Sequence, residues 1–217
     1  DLERYKKHEQ VVIISGIRRC GKSTLLKQFA ALYDDYHFVN FDDERLINFS
    51  VEDFSELMII FKKRSSGKVI FIDEIQNILG WERFVRRVHN EGYKLYITGS
   101  NSNLLSSELG THLTGRYSKI ELYPFSFREY LSFNDVKTTP LTSNVKASLL
   151  NHFDLYLKNG GFPELLKYND REFLSRTYED IIYRDIIARY GIKDIKQFFQ
   201  LSHYLFTNFT GDISYNA

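Results

Sequence analysis

Gly16-Ile17-Arg18-Arg19-Cys20-Gly21-Lys22-Ser23 fits G-x-x-x-x-G-K-[ST], the spacing of a phosphate-binding loop. Its flanks give the pattern its weight. Val11-Val12-Ile13-Ile14 before it is a short β-branched apolar block that reads as a buried strand. Thr24 to Leu32 after it carries apolar residues at helical spacing. A strand, a Gly-containing turn and a helix together present backbone N–H groups to an anion at a helix N-terminus, where the dipole also favours phosphate. In this reading Gly16, Ile17, Arg18, Arg19, Cys20, Gly21, Lys22, Ser23 and Thr24 hold the phosphates. Lys22 reaches the β and γ positions, and Ser23 puts its hydroxyl on Mg²⁺. Arg18 and Arg19 add positive charge to the loop or point to solvent; the latter is expected of at least one of them.

A second motif lies about fifty residues on, one β-α unit away. Val69-Ile70-Phe71-Ile72-Asp73-Glu74 is a hydrophobic strand ending in two acids. Asp73 at the strand tip is expected to share Mg²⁺ with Ser23, and Glu74 to polarise an attacking water. An acid pair that prepares water favours hydrolysis over transfer of phosphate to another molecule. Around these motifs, strands and helices alternate: Tyr36–Phe41 (strand), 51–63 (helix), 68–72 (strand), 81–91 (helix), 93–98 (strand) and Tyr117–Leu122 (strand). The unbroken apolar runs suit parallel strands covered on both faces, so the fold class is α/β with a parallel sheet.

Three further candidates sit at the edges of that sheet. Ser100, with Thr98 and Asn101 behind it, is placed to sense a γ-phosphate if the strand before it lies between the other two motif strands. The alternative is a Gly turn with Ser102 capping the next helix. Arg116, in Leu113-Thr114-Gly115-Arg116, reads either as an arginine finger, in its own chain or across a subunit interface, or as a surface arginine after a turn. Asp42, Asp43 and Glu44 read as a solvated turn, the alternative being contact with the site.

From Ser126 onward only helical periodicity remains, over 127–133, 145–158, 171–190 and 195–206. Ser126 followed by Glu129 forms a capping box. Thr138-Thr139-Pro140 and Asn159-Gly160-Gly161-Phe162-Pro163 are breaks between helices. The expected domains are residues 1–125 as the α/β core, 126–191 as a helical region, which the resemblance given below implies is a lid, and 192–217 as the start of a further domain inside which the sequence stops.

Composition limits the function classes. The 217 residues carry 43% hydrophobic and 26% charged side chains with a formal net charge of +1, so bulk charge announces neither nucleic acid nor membrane. The single cysteine, Cys20, excludes an internal disulfide and suits a reducing compartment. The six histidines have no ligand spacing. No apolar run approaches the roughly eighteen residues of a membrane span. The residues from Asp1 to Lys7 lack the core of a signal peptide, so the cytoplasm is the default and no membrane partner is expected.

With these motifs in hand the chain resembles bacterial and archaeal AAA-superfamily ATPases that carry a C-terminal domain of unknown function. The resemblance rests on the two motifs above, extended by Ile75 and Gln76, together with Ile97-Thr98-Gly99-Ser100 and Leu113-Thr114-Gly115-Arg116. Pro124-Phe125-Ser126-Phe127 and Gly160-Gly161-Phe162-Pro163-Glu164 make it more specific. It implies an ATP-binding P-loop core, a helical lid and a winged-helix-like C-terminal region only begun here. It also implies that Gly160, Gly161 and Pro163 shape a turn near the nucleotide, and it draws attention to Arg184. The expected function is Mg²⁺-dependent ATP hydrolysis coupled to movement of the helical regions, with Glu74, Lys22, Ser100 and Arg116 in the chemistry. The rival readings are a nucleotide-controlled switch and an ATP-gated DNA-binding regulator. A homo-oligomer, and a DNA or protein partner for the C-terminal region, are the partners open to it. No Asn-Lys-x-Asp signature points to guanine.

Overall fold

The computed structural model describes residues 2–100, 113 and 115–211. Five strands, β1 (Val11–Gly16), β2 (His37–Asn40), β3 (Val69–Asp73), β4 (Lys94–Ser100) and β5 (Tyr117–Leu122), form one sheet in the order β2-β3-β4-β1-β5. Every pairing is parallel. The strand after the second motif is thus inserted between β1 and β3, as the Ser100 reading required. All five C-terminal tips share one edge, where ligands of open α/β sheets bind.

Alternation along β1 divides the core between two faces. Val12 and Ile14 pack with Phe71, Tyr96 and the apolar side of α1 (Lys22–Ala30), supplied by Leu26 and Phe29. Val11 and Ile13 pack on the other face with α2 (Phe54–Arg64) and α3 (Trp81–Asn90), through Phe54, Met58, Phe84 and Val85. Both faces are covered, so the strands need the continuous apolar runs seen in the sequence.

The helix expected from Val51 begins as a 3₁₀ turn, Val51–Asp53, and becomes α-helical at Phe54. The cause is the Ser50–Asp53 capping box, in which the Asp53 carboxylate accepts from the Ser50 N–H at 2.7 Å. After the sheet come α4 (Phe127–Phe133), α5 (Ser143–Asn159) and α6 (Pro163–Tyr168). The Ser126–Glu129 box caps α4 as the sequence reading has it. Periodicity does not announce α6, because at six residues it is too short for a repeat and its Pro163 reads as a break. At the first helical position, however, proline forfeits an N–H that has no acceptor anyway.

The chain divides into two compact units, the first ending at Arg171 and the second starting at Glu172. The first unit therefore runs past the change of character at Phe125 and includes α4–α6. In the second unit, α7 (Glu172–Asp180) passes into a π-helical stretch, Ile181–Ile187, and ends in the turn Ala188–Tyr190. The sequence reading made this one continuous helix. Tyr183 and Arg184 are exposed and Ile182 and Ile187 buried. Asp194 caps α8 (Ile195–Thr207), accepting from the Gln197 N–H at 2.9 Å, and Tyr178 of α7 meets Ser202 of α8 at 2.8 Å. Among the described residues no helix is long and apolar enough to cross a membrane.

The contact between α2 and α3 is set by Phe54 stacked on Phe84, with ring centroids 3.8 Å apart and planes 6° from parallel. Phe54 is 1% exposed, so its truncation leaves a cavity the sheet cannot collapse into. Phe54→Ala is expected to cost about 3–5 kcal/mol of unfolding free energy, measured by urea titration. A loss below about 1 kcal/mol would contradict this packing account.

Candidate nucleotide site

The site is built where β1 turns into α1. Gly21 caps α1 in the left-handed region at φ 100°, so the helix opens at Lys22 with the leading N–H groups of its first turn aimed out of the loop. Gly16 has no room for a side chain. A Cβ there would come within 2.2 Å of the Leu122 carbonyl oxygen on β5 and 2.9 Å of the Cys20 sulfur. The loop is therefore wedged against the neighbouring strand by backbone contact. Lys22 is buried, and its ammonium donates to the carbonyls of Gly16 and Ile17, 3.1 Å each, which hold it across the loop mouth.

A chain of hydrogen bonds links the loop to the tips of β3 and β4. Ser23 Oγ donates to Asp73 Oδ1 at 3.1 Å. Thr98 Oγ1, fully buried on β4, also donates to Asp73 Oδ1 and accepts from the Glu74 N–H at 3.1 Å. Glu74 lies in the left-handed region at φ 53°, uncommon for a residue other than glycine. That bend ends β3 abruptly and brings Glu74 to the cavity wall, while Gln76 Nε2 donates to Glu74 Oε2 at 2.5 Å. Sequence reasoning ranked Thr98 behind Ser100. Its position instead orients both acids at once. The side chain of Ser100 and all of Asn101, Ser102 and Thr114 lie outside the described residues.

Over the loop lies α6. Phe125 N–H donates to the Gly161 carbonyl at 2.7 Å, and Tyr156 Oη donates to the Phe125 carbonyl at 2.8 Å. A Cβ on Gly161 would lie 2.0 Å from that same Phe125 oxygen, so only glycine allows this approach. Pro163 is thereby set 3.9 Å from where a Cβ on Gly21 would be, and Glu164 accepts from Arg19 Nη1 at 3.2 Å to each oxygen. Together the loop, Glu74 and α6 enclose a cavity of about 750 Å³. Arg18, Arg19, Gly21, Lys22, Ser23 and Thr24 form its floor. Both loop arginines thus line the cavity. So does Asp42, the acid from the turn after β2.

These residues match a model of a family described as an AAA domain over residues 8–131, more than half of the 217. The chain belongs to the AAA domain family. An uncharacterized protein of Methanocaldococcus jannaschii is 37% identical over 221 residues, covering 99% of this chain and 50% of the relative. One from Haemophilus influenzae is 34% identical, covering 89% of this chain and 50% of its own length. The chain thus spans about half the length of the curated relatives it matches. Membership points to nucleotide binding by this domain, and the donor set at the loop fits a nucleotide's magnesium. Among the described residues no group of three or more His, Cys, Asp or Glu could hold a metal by itself. One hydroxyl and one carboxylate, Ser23 and Asp73, are what Mg²⁺ takes when phosphates and waters complete its shell.

Arg116 is not brought to this AAA site. It immediately precedes β5, where Tyr117 pairs with Val11, while the loop starts at the far end of β1, where Leu122 pairs with Gly16. The five residue steps between these pairs span about 16 Å of strand. Arg116 Nη1 donates instead to Asn90 Oδ1 at 2.7 Å, at the end of α3. Of the alternatives read from the sequence, this placement suits the surface arginine after a turn: both edges of the sheet border Gly turns, and spacing in sequence does not say which edge a turn occupies.

Cys20 has a different place from its loop neighbours. It is 3% exposed beneath the loop, and burial pushes its thiol above the usual range despite the pull of nearby Lys22. The thiol stays protonated, hence weakly nucleophilic, through neutral and mildly alkaline pH. Iodoacetamide at pH 8 is expected to modify the folded chain at least about tenfold more slowly than the urea-unfolded chain. Equal rates would mean that Cys20 is not enclosed.

Proposed function

We propose that the chain binds Mg·ATP in this cavity and hydrolyses it. The observation that carries the reading is the continuous hydrogen-bonded link Ser23–Asp73–Thr98–Glu74, which couples the phosphate loop to an acid facing the same cavity. Lys22 and the opening N–H groups of α1 bind and orient the phosphates. Ser23 and Asp73 would hold the metal, which would supply positive charge against the phosphates. Glu74, held by Gln76, orients a water toward the γ-phosphate and takes its proton. Thr98 keeps both acids in register. In this proposal Arg18 and Arg19 add positive charge around the transferred group. Residues 126–191 act as the lid in this proposal.

Phosphate release and nucleotide binding, measured together, test this. Glu74→Gln keeps the shape and loses the base, so it is expected to bind Mg·ATP like the parent while hydrolysis falls about 10²–10⁴-fold. Lys22→Met is expected to lose binding as well. Hydrolysis by Glu74→Gln at the parent rate would remove Glu74 from the mechanism, and binding unaffected by Lys22→Met would remove the loop.

A further inference from the structure

The formal net charge of +1 hides an uneven distribution. At the edge of the sheet away from the phosphate loop, where the strands begin, α2 and α3 end side by side. Lys62 Nζ meets Glu91 Oε2 at 3.4 Å, and the Lys94 N–H donates to the Lys68 carbonyl at 2.8 Å. A Cβ on Gly92 would lie 3.9 Å from Lys68 Nζ, so that ammonium leans over the turn between α3 and β4. Ser65 Oγ donates to Asp35, which brings the turn after α1 to the same place. Over residues 34–35, 62–68 and 86–94, seven lysines and arginines meet three acids. This edge therefore carries a surplus of four positive charges, and the remainder of the chain is net negative.

Few of these cations are tied up within the chain. Lys94 donates to the His8 and Gln10 carbonyls and so holds the approach to β1. Lys62 and Arg87 share the one carboxylate of Glu91, at 3.4 Å each. Lys63, Arg64 and Lys68 are exposed and have no ion pair among the described residues. Cations at helix C-termini complement the dipole, but two such ends present only about one unit of negative charge between them. The surplus is larger than the helices need.

The residues between the cations say which anion fits. Ser65, Ser66 and Gly67 separate them on one turn, and Asn90 and Gly92 on the other, while Val88 is buried. No exposed apolar or aromatic side chain stands among residues 62–68 and 86–92. A lipid surface is held by apolar anchors beside the cations, and a single strand by rings on which its bases stack. Neither is present here. Short polar residues between long cations instead let a phosphate backbone come close enough for each cation to reach it.

We infer that this edge binds the phosphate backbone of a nucleic-acid duplex, without regard to base sequence, through Lys63, Arg64, Lys68 and the Lys62–Arg87 pair. The surface lies at the opposite edge of the sheet from the phosphate loop, so duplex and nucleotide do not compete for it. The inference does not rest on the nucleotide reading, and a chain without ATPase activity would leave it standing.

Fluorescence anisotropy of a labelled DNA duplex of about 20 base pairs, titrated with the full chain between about 50 and 200 mM salt, tests this. Contact with about four phosphates gives an expected slope of about −3.6 for log K against log salt. Lys63→Ala combined with Arg64→Ala is expected to make the slope shallower by about 1.8, the share of two phosphates. Glu91→Gln releases Lys62 and Arg87 from their shared acid and is expected to tighten binding at least about twofold. Lys146→Ala, an exposed lysine on α5, is expected to leave the slope unchanged. The inference is overturned if the parent binds no duplex at the low-salt end, or if the Lys63/Arg64 variant keeps the parent slope. Tighter binding of a single strand of the same length overturns it too, as does capture by phosphatidylserine vesicles through these residues without duplex binding.

Discussion

The structure depends on a constraint that β1 imposes. Where the loop begins it has parallel partners on both sides, β4 by Gly16↔Ser100 and β5 by Gly16↔Leu122. Both faces are buried and both edges paired, so the turn that follows has no slack at its root. The absence of a side chain on Gly16 lets Leu122 close against it. From that fixed root the loop can hold a strained shape, with Arg19 at φ 63° and Gly21 at φ 100°. Strain of this kind persists only where the surroundings over-determine it. The same constraint brings the tips of β3 and β4 alongside, so Asp73 and Thr98 meet Ser23 without long side chains.

Much of this was legible in the sequence, for a physical reason. Strands buried on two faces demand runs such as Val69–Ile72, and a phosphate loop demands two glycines at fixed spacing. Those demands leave few alternatives, so the bounds of β5 and α4 coincide with the structure. Glu74 and Asp73 were readable because acids at a strand tip beside such a loop have a distinct use. The role of Thr98 was not, since a hydroxyl that links two acids looks in sequence like any strand threonine. Arg116 shows the same blindness: its chemistry suits the site, and only the register of β5 against β1 reveals that it stands at the wrong end.

The helices after the sheet were visible as helices but not as part of the site. Periodicity found α4 and α5, whose lengths span complete turns. It missed α6, where six residues and a proline give no repeat. The signals that did exist were the paired glycines and Pro163, whose meaning depended on a contact with Phe125 more than thirty residues away in the chain. Such contacts are long-range in sequence and short-range in space, and no local pattern encodes them. The domain limits follow suit. Compactness assigns α4–α6 to the sheet because backbone contacts, rather than composition, tie them there.

The joint between Gly161 and Phe125 is backbone against backbone, at a distance that admits no methyl group. Side chains act as cushions: they change rotamer and absorb small displacements before passing them on. A joint without them has no cushion, so a shift of Pro163 over the loop is felt directly by the strand end that carries Phe125. Any displacement of α6 along this contact therefore meets backbone at once.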